Sequence, residues 1–331
     1  MAEGSFYKIN GDKLYASEPN RMWNYCGDGS DGALHVTAGT INLSGFKQYS
    51  SITVDVGTIL NINSYATVLC SGDVTINGTL QGATVATTPT YEWFPAVGGK
   101  GRYYNGAFGF GGGASGGLSR YPLFLTCAGV FTLSATGVMN FAGSSGTNGS
   151  SYNGRMYGGT GGSGGAFIGS GGSGGASGNF GGSEAGASDI DDYIKTNLLG
   201  LRIPYLFGSQ GGVGGKADDS DTGHSVGRGG GGGGAGSMIF IKSFKNIFLE
   251  AGSSITVAGG AGGNGYAGEG FERSSGGGGG AGGGLVQLLY KTGLTSSGTV
   301  TVAGGSGGTN GGGAGDPGAA GTAGLEINCK F

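Results

Sequence analysis

Apolar residues alternate with small or polar ones in short bursts along this chain, and three long segments carry the bursts in the same order. Residues 122–149 read PLFLTCAGVFTLSATGVMNFAGSSGTNG, residues 237–265 SMIFIKSFKNIFLEAGSSITVAGGAGGNG, and residues 284–311 GLVQLLYKTGLTSSGTVTVAGGSGGTNG. Each passes from an apolar strand through a small-residue turn to a second apolar stretch. A further turn, an alternating strand and a glycine-rich exit follow. Ala258 and Ala303 hold the same place in two copies. A glycine-poor version occupies residues 32–82, where Val54, Val56, Ile59, Ile62, Val68, Val74, Ile76 and Leu80 recur at strand-like spacing between Gly and Asn. Short β-branched runs with turn signals every 8–12 positions predict an all-β fold. Self-similar units of this kind stack as a β-helix-like solenoid or pair as the rungs of a β-sandwich. The glycine runs leave and re-enter at one place in each copy, which favours the solenoid. Only residues 187–201, ASDIDDYIKTNLLGL, read as helix, with Ser188 as cap and acidic residues in the first turn.

Composition changes the picture in one respect. Glycine supplies 86 of 331 residues, against an average near ~7%, while charged residues fall to 11%. Disordered chains tend to high charge and few aromatics, yet this one holds 16 Phe, 15 Tyr and 2 Trp. Many glycines follow a GGx phase, as in GGTGGSGGAFIGSGGSGGASG over residues 158–178. In polyproline II geometry, with three residues per turn, GGx lines two of three faces with bare backbone. Strands with two bare faces can pack side by side and pair their free amides between strands. The expectation is a bundle of glycine-rich polyglycine II strands, with Phe167 and Ile168 at a reversal. Two facts oppose it: ordering a glycine costs ~0.5–1 kcal/mol more than ordering an alanine, and mobile linkers share the composition. The three-residue phase, kept in step with the strands, supports order. Both readings stay open on sequence alone.

Charge narrows the function classes. A net charge of −3 with scattered Lys and Arg gives no footprint for nucleic acid. No apolar stretch reaches the ~20 residues of a membrane-spanning helix, and the first residues lack a signal-peptide pattern, so no membrane insertion is expected. Cys26, Cys70, Cys127 and Cys329 lie far apart with no CxxC pair, which argues against zinc. Cys70 and Cys127 fall in apolar runs and read as buried thiols; a disulfide among the four stays possible.

The GGxGG runs between short variable segments over residues 98–324 resemble the glycine-rich receptor-binding adhesins at the tips of T-even-type phage long tail fibres. That resemblance implies stacked polyglycine II strands whose connecting loops touch outer-membrane proteins of the host. The first hundred residues do not resemble that family's attachment domain and are closer to β-rich virion proteins in general. The implied function is a virion-borne, extracellular, non-enzymatic adhesin without cofactors. Its partners would be a host cell-surface receptor, either an outer-membrane protein or a glycan, and other virion or fibre subunits. Phage fibres suggest a homotrimer by analogy. The alternatives are a structural virion or cell-surface subunit (shaft, decoration or filament) and a polysaccharide depolymerase. The corresponding domains are a β-rich attachment or solenoid domain over 1–88 and a glycine-rich repeat domain with aromatic loops over 89–331.

A rigid scaffold presenting variable loops is a common arrangement for binding, so the segments between glycine runs hold the candidate contacts. Residues 89–110 gather Tyr91, Trp93, Phe94, Tyr103, Tyr104, Phe108 and Phe110 around Lys100 and Arg102, the residue types that dominate hot spots. The same cluster also reads as a packed hydrophobic plug. Residues 197–207, NLLGLRIPYLF, read as a cap on the glycine bundle or as a contact with a partner subunit. Smaller tips at 150–157, 218–228 and 266–275 offer Tyr152, Tyr157, Tyr266, Phe271 and Arg273, or plain solvated turns. Catalytic patterns are thin. An EF-hand begun at Asp218 places Gly229 where a bidentate Glu is required, and His35 and His224 leave little for a nucleophilic triad. Asp55 and Asp73 fall in β-rungs, each flanked by turn signals, and would need to stack within ~5–9.5 Å to serve a glycosidase.

Overall fold

The structure, a computed structural model, describes residues 26–84, 116–149, 161–162, 164–165, 170–175, 229–266, 275–312 and 315–331, together with the backbone of six short strands. Two of these, β1 (Ser5–Ile9) and β2 (Asp12–Tyr15), pair as an antiparallel hairpin. The rest of the described chain winds through six coils. The first is β3 (Ala33–Val36) and β4 (Thr40–Tyr49); the second is β5 (Ser51–Val54) and β6 (Ile59–Cys70). The third is β7 (Val74–Ile76) and β8 (Thr79–Gly82), then a hairpin of β9 (Arg102–Asn105) and β10 (Gly109–Gly112), then β11 (Leu123–Cys127). The fourth is β12 (Phe131–Leu133) and β13 (Val138–Asn140), the short pair β14 (Ser151–Tyr152) and β15 (Val226–Gly227), then β16 (Met238–Ser243). β17 (Asn246–Leu249), β18 (Ser254–Thr256) and β19 (Leu285–Tyr290) make the fifth. β20 (Gly293–Ser296), β21 (Thr299–Thr301) and β22 (Leu325–Lys330) make the sixth.

Each coil sends one strand to each of three parallel ladders. The first ladder runs β3, β5, β7, β12, β17, β20. The second joins the first half of β4 to the first half of β6, then β8, β13, β18 and β21. The third joins the second halves of β4 and β6 to β11, β16, β19 and β22. The fold is therefore all-β, with no helix among the described residues, and the chain visits the ladders in the order of a parallel solenoid. The ladders run unbroken past residue 88, since β8 pairs with β13. The helix expected over 187–201 lies outside the described residues.

Period-two alternation explains the core, because successive side chains point to opposite faces. In the first ladder Leu34, Ile52, Val74, Phe131, Ile247 and Leu294 share one register position; in the second, Ile41, Leu60, Leu80, Met139, Ile255 and Val300 do. Most of these are fully buried, each contributing ~1.5–3 kcal/mol. Corners repeat as well. The backbone N–H groups of Thr58, Gly137 and Ser253 donate to the carbonyls of Asp55, Ser134 and Glu250, and Gly57 supplies the positive φ of 76° in the second coil. The sixth coil breaks the pattern. Its positions opposite Val286, Leu288 and Tyr290 hold Glu326, Asn328 and Lys330, so the last coil carries a polar inner edge, as a terminal repeat does.

Cys70 and Cys127 are register partners on β6 and β11. Both are buried, and all four cysteines are free thiols. Burial pushes the Cys127 thiol up to about 12 and Cys26 to about 11, and raises Cys70 as well.

Every coil passes from the second ladder to the third at the same corner. The crossing takes one residue in the first coil and three in the second; the later crossings span residues 83–122, 141–237, 257–284 and 302–324. These crossings contain the glycine runs, which hydrogen-bond to one another at intervals of three residues. Run 276–284 is the centre. Gly277, Gly280 and Gly283 donate to the carbonyls of Asp316, Ala319 and Thr322; Gly278, Ala281 and Gly284 to Gly263, Gly260 and Val257; Gly279 and Gly282 to Gly162 and Gly165. Its carbonyls accept from Gly230, Gly233 and Gly236, from Gly305 and Gly308, and from Gly172 and Gly175. One strand thus meets six neighbours, three as donor and three as acceptor.

Glycine content follows this geometry. A Cβ on Gly277, Gly278 or Gly279 would lie 2.1 Å from the carbonyl oxygen of Gly308, Gly231 or Gly172 respectively, so at these positions all three faces of the central run exclude a side chain. It is accordingly all glycine except the buried Ala281, and the equally buried run 229–236 departs only at Ala235. Run 302–309 carries Ala303, Ser306 and Thr309 on its one exposed face. At the margin, run 315–324 keeps glycine only at 315, 318, 321 and 324, and its other residues are exposed.

Candidate binding surface

The glycine runs share one outer end, away from the solenoid corner. Gly149 donates to Asn264, Gly265 to Thr309, and Gly311 to Ser275, while Gly161 pairs with Gly175 and Gly175 with Gly277. The chain therefore leaves the runs after 149, 175, 265 and 312 and re-enters at 161, 229, 275 and 315, all at this end.

Two connections are closed at their base by side chains. The Tyr266 N–H donates to Ser275 Oγ at 2.6 Å, and that hydroxyl donates to the Tyr266 carbonyl at 3.0 Å; Tyr266 is half-buried. The Asn310 side-chain amide donates to the Gly315 carbonyl. In a third connection β14 and β15 pair Tyr152 with Val226. Across the rim runs a row that pattern reading missed. Asn148 Oδ1 accepts the N–H of Asn264, and Asn264 Oδ1 accepts the N–H of Thr309, each at 2.9 Å. All three residues are exposed. Two members were signalled by the endings TNG at 147–149 and GNG at 263–265; the third NG, at Asn310, lies one place beyond Thr309 and outside the row.

The aromatic segment belongs to the third coil. Its stem is fixed where Thr84 bridges Arg120 and the Arg120 guanidinium donates to the carbonyls of Gly82 (2.6 Å) and Ala142 (3.1 Å). Arg102, Tyr103 and Tyr104 lie on β9, opposite Gly112, Gly111 and Phe110 of β10. Tyr91, Trp93, Phe94, Lys100, Phe108, Tyr157, Phe271 and Arg273 lie outside the described residues, as does the acidic stretch 217–224.

The acidic candidates in the solenoid have partners. Asp55 follows β5 and meets His35 Nε2 at 3.0 Å. Asp73 precedes β7, and its carboxylate accepts the Val130 N–H at 2.7 Å. Because Ile52 pairs with Val74, the two carboxylates sit four register positions apart, about 13 Å at ~3.3 Å per residue. That exceeds glycosidase spacing, so the two do not stack. Asp28 and Asp31 accept the backbone N–H groups of Ser30 and Gln48, and the Ser30 bond lowers the Asp28 pKa. No metal-binding group of three or more such side chains exists among the described residues.

Compared with known proteins, the chain matches no family model, no curated protein and no solved structure.

Proposed function

We propose that this protein is a phage virion adhesin or tail-fibre tip that attaches to a bacterial surface receptor without catalysis. In this reading the glycine runs are a polyglycine II lattice, a stiff mount for loops, and the solenoid anchors that mount. The observation that carries it is the central run with six hydrogen-bonded neighbours, since rigidity at that point lets connections at the outer end bind without a large ordering cost. The aromatic segment on its own stem and the connections carrying Tyr152, Tyr157, Tyr266, Phe271 and Arg273 supply the contacts. Purified protein is expected to bind cells of one strain in a bacterial panel saturably. The triple variant Trp93→Ala, Tyr103→Ala, Tyr104→Ala should lose that binding with its thermal unfolding unchanged. Retained binding would overturn the role of the aromatic segment, and no binding by the parent protein to any strain would overturn the adhesin reading.

A structural virion subunit is the second reading, favoured by the rim of the first coil. There Leu34 and Ile41 are only half-buried and Phe46 is exposed, as is Val56 at the corner of the second coil. Under it, the same triple variant would fail to assemble and show no separate binding defect. The depolymerase reading draws no support from the separated Asp55 and Asp73.

A further inference from the structure

We propose that Asn148, Asn264 and Thr309, with Tyr266 beside them, form a binding site for neutral carbohydrate at the outer end of the glycine runs. The inference rests on the reading that this end faces the host surface.

Along three adjacent runs the outward positions are small until the last triplet. They read Ala142, Ser145, Asn148; Ala258, Ala261, Asn264; and Ala303, Ser306, Thr309. Long polar side chains therefore appear only at the rim. Their orientation is fixed by chemistry, because an N–H can bond only the oxygen of a carboxamide. With Oδ1 of Asn148 and of Asn264 each accepting a backbone N–H at 2.9 Å, both amide NH2 groups are turned away from the lattice. Among the described residues neither has a partner. The runs are directly hydrogen-bonded neighbours, so the row repeats at about 4.8 Å.

Immobile donors in a line suit a ligand rich in hydroxyl acceptors. Tyr266, two residues beyond Asn264 and tied at its backbone to Ser275, adds an amphipathic ring of the kind that stacks on a sugar face. A protein ligand would want a buried aromatic or Arg anchor, and the outward positions behind the row are only Ala and Ser. An acidic glycan is disfavoured because Asp316 is exposed at the same end; it accepts from Gly277 through its backbone only.

The test uses Asn148→Asp with Asn264→Asp in the full chain. A carboxylate still accepts the N–H groups of Asn264 and Thr309 but offers no donor, so lattice and thermal unfolding stay as in the parent. On an array of neutral and acidic bacterial polysaccharides, the parent should bind neutral members and the double variant about tenfold more weakly or worse. Parent binding to no glycan, to acidic glycans only, or equally in the variant would overturn the proposal. Cell binding, read in parallel, separates the two claims. If the double variant attaches to cells as the parent does, the carbohydrate site falls while the adhesin reading stands; if the parent attaches to no cell, the adhesin reading falls.

Discussion

The solenoid and the glycine runs are made by the same turns of chain, yet they fill space in opposite ways. In the ladders, backbones are held about 4.8 Å apart in one direction only, and the interior is closed by side chains such as Phe131, Phe141 and Leu133. In the glycine runs, backbones approach from every side, and nothing remains to be filled. The first region gains from transfer of apolar groups out of water. The second has almost no apolar side chains at its centre and depends on pairing every buried amide. Cohesion by side chain tolerates a missing methyl as a cavity, whereas cohesion by backbone does not tolerate an added one.

That contrast can be broken most severely at the centre of the runs. Gly279→Ala would set a Cβ 2.1 Å from the Gly172 carbonyl oxygen, a clash with backbone that no rotamer relieves. Its cost should exceed the ~1–3 kcal/mol typical of overpacking, while Ala261→Ser, on an outward phase, should stay within about 0.5 kcal/mol. Paired denaturant melts measure both, and equal effects would show that the run does not exclude side chains. Phe131→Ala should cost ~3–5 kcal/mol as a cavity in the first ladder, with amide exchange around 276–284 rising less than around Val74 and Ile247. The smallest effect concerns the thiols. A thiol whose pKa rises on folding stabilises the protein at pH values below its unfolded pKa of 9.0, and that stabilisation is lost as pH climbs toward about 12 for Cys127. Native protein should therefore leave Cys70 and Cys127 unalkylated at pH 8, and its melting temperature should begin to fall only above about pH 9. Rapid modification of either residue at pH 8 would contradict their placement.

Much of the solenoid could be read from the chain because each coil repeats the same local grammar. Segments 122–149, 237–265 and 284–311 each open on an apolar strand, and the ladders pair those strands side by side, with Leu123, Ile239 and Val286 in one register. The common exit point of the runs was equally plain. What escaped was whatever depends on the third dimension. GGx implies two sheltered faces, yet residues 276–284 have three, and only the neighbour count explains why the small third residue vanishes there. Asp55 and Asp73 lie in adjacent coils, but their distance depends on register across a corner, which spacing along the chain does not encode. LEINCK in β22 alternates like any half-buried strand; that Glu326, Asn328 and Lys330 take the inner positions follows from its pairing with β19. The row of Asn148, Asn264 and Thr309 was not legible either: NG recurs at 148, 264 and 310, but the third lies one place off the row, and a carboxamide that bonds a neighbouring run looks no different in sequence from one that bonds its own.

The six partners of residues 276–284 are drawn from between positions 161 and 324, and no single stretch of chain supplies more than a fraction of them. A strand so placed gains little from any one neighbour arriving early, and closing such long loops first is entropically unfavourable. The coils must already have brought the run starts together at their shared corner before the centre can order. Assembly of this region is therefore a late, all-together event, gated by the ladders beneath it.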